Sequence, residues 1–371
     1  MRIFFSLLTL FLSMNELASA SNVSARVSGG QLFIYGDSGD NAITIESLRS
    51  GEVFVTGAPG FNGESTSING QANGPVKLTG WTGGIFCYMY AGSDSVSLRT
   101  GTVHGAAHFD LGNGHDDLII GSLPLDMALM SSGYVDLRSG LYVIGANGDD
   151  YVSAINAKVK HGATFDLGDG ADELLVGNMS VPEAMVEFQS NCNVYPGSGS
   201  DSVQFESTIM RGNFLFDDST QALELSLFGV AIQQNALIYG TSAKDSISLE
   251  QVTVARLLQI FSEQDDDLVT LTSTQSETLE VFAGSGVDLV QLDKITSNTL
   301  RVFLDSGVDT LKVTLGKFQK LFWFGGSGDD TFNVSKTSAT ELNLYGDSGT
   351  DTLIRSANSI GKTRLYSVEN Q

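Results

Sequence analysis

The sequence predicts an all-β protein, a single-stranded parallel β-helix (solenoid) of about 14 coils that is most regular in its C-terminal half. A short acidic turn recurs, and near the C-terminus it does so every 21 residues. The segments between the turns alternate apolar and polar residues, and helix signals are scarce. A fixed period of this length indicates one supersecondary unit stacked on copies of itself. The clearest copies are Gly284–Asp288, Asp305–Asp309, Gly326–Asp330 and Asp347–Asp351.

One repeat divides into two strands and two corners. Leu279–Phe282 alternates apolar and polar residues and ends on an aromatic ring, which is typical of a strand with one buried face. Ala283–Asp288 is rich in glycine and aspartate, residues that favour tight turns. Leu289–Leu292 is a second strand, and Asp293–Thr299 forms a polar corner. A β-sandwich is the alternative, but it would not keep the aromatic residues in a fixed register.

The last position of each turn forms a series that is acidic in most copies. Ala222 is its only clear exception, and asparagine replaces aspartate in the first two copies. The series is Asn41, Asn62, Asp94, Asp116, Asp150, Asp172, Asp201, Ala222, Asp245, Asp267, Asp288, Asp309, Asp330 and Asp351. We therefore predict one solenoid domain over 21–371, with irregular coils at 21–200 and regular coils at 201–371. The extra residues at 63–74, 122–133 and 178–191 are predicted loops on one side of the rod.

The N-terminus predicts export. Arg2 precedes an apolar stretch over Ile3–Leu12, and Ala18-Ser19-Ala20 resembles a cleavage site, so residues 1–20 are a predicted signal peptide. No later apolar stretch is long enough for a membrane span. We expect a secreted or cell-surface protein. The final coil is incomplete at Leu365–Tyr366, so either residues 367–371 cover that end or the rods associate end to end.

Composition limits the partners. The chain has 20 basic and 43 acidic residues and a net charge of −23, which disfavours nucleic acid as a partner. Cys87 and Cys192 are the only cysteines. They lie about five coils apart in the predicted register, or roughly 20 Å, which is beyond disulfide reach. We predict two buried free thiols.

One turn carries a resemblance to a known family. Gly325–Asn333 fits the pattern Gly-Gly-x-Gly-x-Asp-x-apolar-x, and it resembles the haemolysin-type (RTX-like) calcium-binding repeats. Ala283–Gln291 and Tyr345–Leu353 are near matches. The resemblance implies Ca²⁺ bound between consecutive turns through aspartate side chains and backbone carbonyls. This chain departs from the family because the motif occurs once per coil and never in tandem.

Electrostatic repulsion between the turns is a second, independent reason to consider calcium binding. Stacked aspartates about 5 Å apart repel by roughly 1 kcal/mol in water and by several at an effective dielectric constant near 20. Calcium would offset this repulsion, and so would backbone N–H groups of each carboxylate's own turn. Both alternatives stay open. The predicted calcium ligands are Asp245, Asp267, Asp288, Asp309, Asp330 and Asp351, with Asp305 and Asp347 as additional acids.

The leading functional prediction is a structural or binding module that binds calcium at its acidic turns. The alternative is a polysaccharide-binding or polysaccharide-cleaving β-helix that uses the side loops. No nucleophile elbow, phosphate loop or dinucleotide fingerprint is present in the sequence. The Lys and Arg residues are scattered and mark no cleft, which disfavours a lyase. A pair of carboxylates suited to glycoside hydrolysis remains open, and an enzyme is the less favoured prediction.

Overall fold

The computed structural model describes residues 21–72, 74–122, 133–178, 185–217 and 221–369. Every regular element within these ranges is a β-strand. The strands stack in parallel as a β-solenoid of about 12 turns, with equivalent residues about 21–22 positions apart. The predicted fold class is therefore confirmed. The predicted signal peptide, residues 123–132 and residues 179–184 lie outside the described residues. The predicted loop at 178–191 is wrong in part, because Val186–Phe188 form a strand.

The strands are short and follow one another closely along the chain. The N-terminal strands are β1 (Asn22–Ser28), β2 (Gln31–Tyr35), β3 (Ala42–Arg49), β4 (Gly51–Ala58), β5 (Ser67–Ile68), β6 (Pro75–Trp81), β7 (Ile85–Tyr88), β8 (Ser95–Val103), β9 (Ala107–Asn113), β10 (Asp117–Ile120), β11 (Val135–Leu137) and β12 (Leu141–Asn147). The central strands are β13 (Tyr151–Ala154), β14 (Ala157–Val159), β15 (Ala163–Asp169), β16 (Glu173–Gly177), β17 (Val186–Phe188), β18 (Cys192–Tyr195), β19 (Ser202–Glu206), β20 (Thr208–Met210), β21 (Phe214–Asp217), β22 (Glu224–Phe228), β23 (Ala231–Ile232) and β24 (Ala236–Tyr239). The C-terminal strands are β25 (Ser246–Glu250), β26 (Thr253–Phe261), β27 (Leu268–Thr272), β28 (Gln275–Phe282), β29 (Leu289–Asp293), β30 (Thr296–Phe303), β31 (Thr310–Thr314), β32 (Lys317–Ser327), β33 (Thr331–Ser335), β34 (Ser338–Ser348), β35 (Thr352–Ser356) and β36 (Ser359–Tyr366).

Each coil has three faces, and the coil that begins at β29 illustrates them. β29 forms the first face, and Lys294 turns the chain with a left-handed backbone (φ 55°). The two halves of β30 form the second and third faces. The acidic turn then leads to β31, which pairs in parallel with β29 so that Leu289 lies beside Thr310. This corner between the third and first faces carries the recurring aspartates of the turns, and we call it the acidic edge.

The core is a set of apolar columns that point inward from the three faces. Val290 and Leu292 point inward from the first face, and Leu300 and Val302 from the third, all at most 1% exposed. Each column repeats in neighbouring coils because the strands pair in register. Burying one such side chain contributes about 1.5–3 kcal/mol, so the columns are the main source of stability.

An outward column on the third face is aromatic. Successive rings stack with centroids 4.6 to 5.0 Å apart and planes within 8° of parallel. The column consists of Tyr239, Phe261, Phe282, Phe303, Phe324, Tyr345 and Tyr366. Because each internal ring has neighbours on both faces, the column presents ring edges to the surface. It extends the predicted register of aromatic residues into a continuous stack.

The N-terminal end is covered by antiparallel strands. β1 pairs antiparallel with β2, β4 with β3, and β6 with β4. The parallel stack passes directly from β3 to β8. Asn62 lies in the exposed connection between β4 and β6, so it does not belong to the stack. The number of turns is therefore about 12 instead of about 14. An antiparallel cover of this kind blunts an open sheet edge.

The two cysteines are buried and free, as predicted. β7 and β18 are four strand spacings apart through β9, β12 and β15, one fewer than predicted. That separation, about 19 Å, still exceeds disulfide reach. Burial raises the pKa of both thiols. Among the described residues there is no helix of the length and apolarity that a membrane crossing requires.

Candidate functional site

The backbone of each acidic turn requires unusual conformations. Gly326 has a left-handed φ of 92°, and a Cβ added to it would lie 1.9 Å from the carbonyl oxygen of Asp305 in the preceding coil. Only glycine fits so close an approach. The equivalent positions in the neighbouring coils, Asp305 and Asp347, also have positive φ, at 64° and 69°. Glycine and acid therefore alternate along this column, and the glycines keep successive turns in close contact.

The last aspartate of each turn points inward and forms a ladder of hydrogen bonds. The N–H of Asp288 donates to Oδ1 of Asp309 at 2.7 Å, and the N–H of Asp309 donates to Oδ1 of Asp330 at 2.9 Å. These N–H groups belong to the neighbouring coil. The alternative stated from the sequence was that they belong to the carboxylate's own turn. The ladder comprises Asn41, Asp94, Asp116, Asp150, Asp172 and Asp201, and then Leu223, Asp245, Asp267, Asp288, Asp309, Asp330 and Asp351.

Among the described residues, the second carboxylate oxygen of most ladder aspartates has no hydrogen-bond partner. The ladder aspartates are between 0 and 3% exposed. A buried polar atom without a partner costs about 1–3 kcal/mol, more when it is charged. The unpartnered Oδ2 atoms belong to Asp94, Asp116, Asp150, Asp172, Asp201, Asp267, Asp288, Asp309, Asp330 and Asp351. Within the described coils, these oxygens form a line that follows the acidic edge.

The electrostatics of the ladder favours uptake of positive charge. Burial is the largest cause that raises the pKa of each ladder carboxyl, and neighbouring carboxylates raise it further in several coils. The pKa is raised to about 8 for Asp94, Asp150 and Asp267, to about 7 for Asp172 and Asp309, and to about 6 for Asp116, Asp288 and Asp330. Near neutral pH, the carboxyls with a pKa of about 7 or 8 therefore retain a proton in a large fraction of the molecules.

The ladder is interrupted once. Strand pairing places Leu223 beside Asp201, so Leu223 occupies the aspartate position and the predicted equivalence of Ala222 is wrong by one residue. In the next coil, Oδ2 of Asp245 accepts the N–H of Thr241 at 2.6 Å. Both oxygens of Asp245 are therefore satisfied. The unpartnered oxygens fall into two groups, one from Asp94 to Asp201 and one from Asp267 to Asp351.

The eight predicted calcium ligands occupy two different rows. Asp245, Asp267, Asp288, Asp309, Asp330 and Asp351 lie in the buried ladder. Asp305 and Asp347 lie outside it and are exposed. Asp305 lines a surface cleft of about 410 Å³ with Glu263 and Phe282, and Gly284 lies between the two acids. The structure therefore does not bring the two rows to one common point.

The predicted ligands omitted half of the ladder. Asp94, Asp116, Asp150, Asp172 and Asp201 occupy the same position in the N-terminal coils, although the spacing between copies is irregular there. Their position as the last residue of a turn in the repeat series could have identified them. A second, outer set of acids, which includes Asp266 and Asp329, accepts N–H groups from the following coil at 2.7 Å. That set gave no separate signal in the sequence.

The donor atoms around the ladder suit a hard cation. A Cβ added to Gly325 would lie 2.7 Å from Oδ2 of Asp330 and 2.6 Å from the carbonyl oxygen of Gly346 in the next coil. Asp150 and Gly145 repeat this arrangement with the carbonyl oxygen of Leu167. Carboxylate and carbonyl oxygens are the ligands that calcium prefers. The glycines are required at these positions because a Cβ would clash with both oxygens.

The acids are spread along the rod and do not form one compact cluster. Within the described part of the chain, no group of three or more His, Cys, Asp or Glu side chains converges on a single point. Any cation on this edge would depend on carbonyl oxygens as well as aspartates. No protein-family model and no curated protein matches this chain. The assignment of function therefore depends on the geometry of the acidic edge.

Proposed function

We propose that this protein is an exported structural or binding module that takes up Ca²⁺ along its acidic edge. The line of buried, unpartnered Oδ2 atoms is the observation that carries the proposal. The ladder aspartates would hold the ion together with carbonyl oxygens of adjacent turns; Oδ2 of Asp330 and the carbonyl oxygen of Gly346 lie on the same side of Gly325. The RTX-like turn at Gly325–Asn333 supports the same assignment. The Ca²⁺ would supply positive charge that offsets the burial and mutual repulsion of the carboxylates.

The chain's own residues would give this uptake a structural role. Each ladder aspartate already joins two coils through its Oδ1, as Asp309 does with the N–H of Asp288. A ligand on Oδ2 would join the same coils a second time. In a solenoid, each coil contacts only its neighbours, so these interfaces determine the stability of the rod. We expect calcium-rich extracellular conditions to stabilise the folded protein.

Thermal unfolding with and without calcium tests the proposal. Millimolar Ca²⁺ should raise the melting temperature of the protein purified in chelator. An ion present at 100 times its dissociation constant adds about 2.7 kcal/mol per site. Mg²⁺ should add much less, because it demands small octahedral sites. A melting temperature that calcium leaves unchanged would refute the proposal.

A pair of matched variants tests where calcium binds. Asp309→Asn together with Asp330→Asn retains the size and Oδ1 acceptors of two ladder residues and removes their charge. This double variant should show a smaller calcium-induced rise in melting temperature than the wild type. The control is Asp166→Asn with Asp293→Asn, which removes two charges outside the ladder. An equal rise in both double variants would place the calcium elsewhere.

The polysaccharide alternative remains a prediction. It relied on the side loops, and residues 123–132 and 179–184 of those loops lie outside the described residues. The aromatic column on the third face does not favour it, because sugar rings stack on the faces of aromatic rings. In this column, the faces of rings such as Phe303 are covered by Phe282 and Phe324 at 4.7 and 4.6 Å.

A further inference from the structure

A basic cleft lies near the N-terminal end of this acidic molecule. It has a volume of about 360 Å³, and Arg49, His104 and Arg138 contribute its charged or ionisable side chains. Ser47 and Thr102 add hydroxyl groups to its lining. All three of the basic side chains are exposed. Concentrated positive charge is unexpected on a chain with a net charge of −23, so the cleft is a candidate for binding an anion.

The fold assembles this cleft from distant parts of the sequence. Arg49 ends β3, His104 follows β8, and Arg138 follows β11. The N–H of Arg138 donates to the carbonyl oxygen of Val103 at 2.8 Å, which places His104 and Arg138 at equivalent positions on adjacent coils. Their backbones are therefore about 4.8 Å apart along the rod. The expectation that no basic cluster marks a cleft was wrong, because stacking joins residues that the sequence separates.

The basic column continues beyond the cleft. The N–H of Lys160 donates to the carbonyl oxygen of Leu137 at 2.8 Å, so Lys160 follows Arg138 in the next coil. Arg138 has an exposed ion pair with Asp136 at 3.0 Å. Within the described ranges, neither Arg49 nor Lys160 has an ion-pair partner. Arg138 and Lys160 thus place basic side chains on two adjacent coils, on a corner different from the acidic edge.

We infer that this basic cleft binds the carboxylate groups of an acidic polysaccharide that lies along the rod. Arginine binds carboxylates through paired hydrogen bonds, and exposed serine and threonine hydroxyls suit the hydroxyl groups of a sugar. A uronate polymer carries one charge per sugar and matches a row of a few separated cations. Nucleic acid has a much denser charge, and the strongly negative remainder of the protein would repel it.

Binding of an oligogalacturonate in chelator, measured by calorimetry, tests the inference. The double variant Arg49→Gln with Arg138→Gln should weaken binding by about tenfold or more, because it removes two charge-assisted contacts. The control variant Lys312→Ala with Lys317→Ala removes two exposed charges in C-terminal coils and should change the affinity less than about twofold. The double variant Arg49→Lys with Arg138→Lys should retain part of the binding, because lysine keeps the charge but cannot form the paired hydrogen bonds of arginine.

Several results would overturn the inference. They are absence of binding to the wild type at low salt, equal weakening in the control variant, and equal affinity for the fully methyl-esterified oligomer. Equal affinity for a single-stranded DNA oligomer would also contradict the polysaccharide assignment. Melting temperatures of all variants should match the wild type, because the replaced side chains are exposed. The assay contains no free calcium, so its outcome is independent of the calcium proposal.

Discussion

Replacement of Asp309 by asparagine in the calcium-free protein tests the electrostatics of the ladder directly. Asparagine keeps the side-chain shape and the oxygen that accepts the N–H of Asp288 at 2.7 Å. It removes the only group at this position that ionises. At acidic pH, the wild-type carboxyl and the variant amide are both neutral, so the two proteins should have similar stability. At alkaline pH, only the wild type has to bury a charge.

The size of the effect follows from the pKa of Asp309. Burial, with repulsion from Asp288 and Asp330, raises that pKa from 3.8 to about 7. A carboxyl whose pKa is higher in the folded state contributes stability below its unfolded pKa and loses it as pH rises through the folded pKa. At about 1.4 kcal/mol per pH unit, this interval corresponds to a loss on the order of 4 kcal/mol. The repulsion is weaker whenever Asp288 or Asp330 is itself protonated, so the measured loss should not exceed this value.

The assay is urea unfolding of both proteins in chelator, at intervals between about pH 4 and pH 8. The wild type should lose stability relative to Asp309→Asn between those limits, so the variant becomes the more stable protein at about pH 8. Asp166→Asn, an exposed position, is the matched control and should not change the pH profile. A difference in unfolding free energy between variant and wild type that stays constant with pH would refute the reasoning. So would a variant that loses relative stability as the pH rises.

Three other substitutions test separate features of the structure. Leu223→Asp should extend the ladder across its interruption and lower the melting temperature in chelator by several degrees, because it buries another carboxylate (on the order of 1–3 kcal/mol). Calcium should remove much of that decrease, and an equal decrease in both buffers would contradict this. Gly326→Ala should lower the unfolding free energy, measured by urea titration, by more than about 2 kcal/mol. Gly29 also has a left-handed φ but has open space around it, so Gly29→Ala should lower the unfolding free energy by only about 1 kcal/mol. Phe303→Ala should destabilise more than Tyr366→Ala, by roughly 0.5–1.5 kcal/mol, because Phe303 stacks on two rings and Tyr366 on one; equal losses would show that stacking is not responsible.

The sequence predicted the solenoid well because each coil contacts only its neighbours. The alternation in Leu279–Phe282 identified a strand, and the fixed spacing of the turns identified the stacking direction. The prediction failed where local pattern and tertiary pairing diverge. Asn62 resembles a copy of the turn, yet antiparallel pairing of β4 with β6 removes it from the stack. Ala222 lies beside the true ladder position, Leu223, because the register depends on strand pairing.

The candidate site was predicted in part. The acidic turns and their aspartates were evident, and backbone N–H groups do bind the carboxylates, although these groups belong to the neighbouring coil. The sequence could not distinguish the inward Asp309 from the exposed Asp305, because both lie in one irregular turn where period-two alternation does not apply. It also could not show that Thr241 satisfies the second oxygen of Asp245.

Residue spacing alone predicted the fold class, most of the acidic turns and the burial of the two cysteines, because a one-dimensional repeat converts spacing along the chain into position along the rod. The direction of each carboxylate oxygen, the interruption of the ladder and the assembly of Arg49, His104 and Arg138 into one cleft emerge only when the chain is folded. Those features depend on register and on side-chain direction within turns. Insertions of unequal length hide both from the linear spacing of residues.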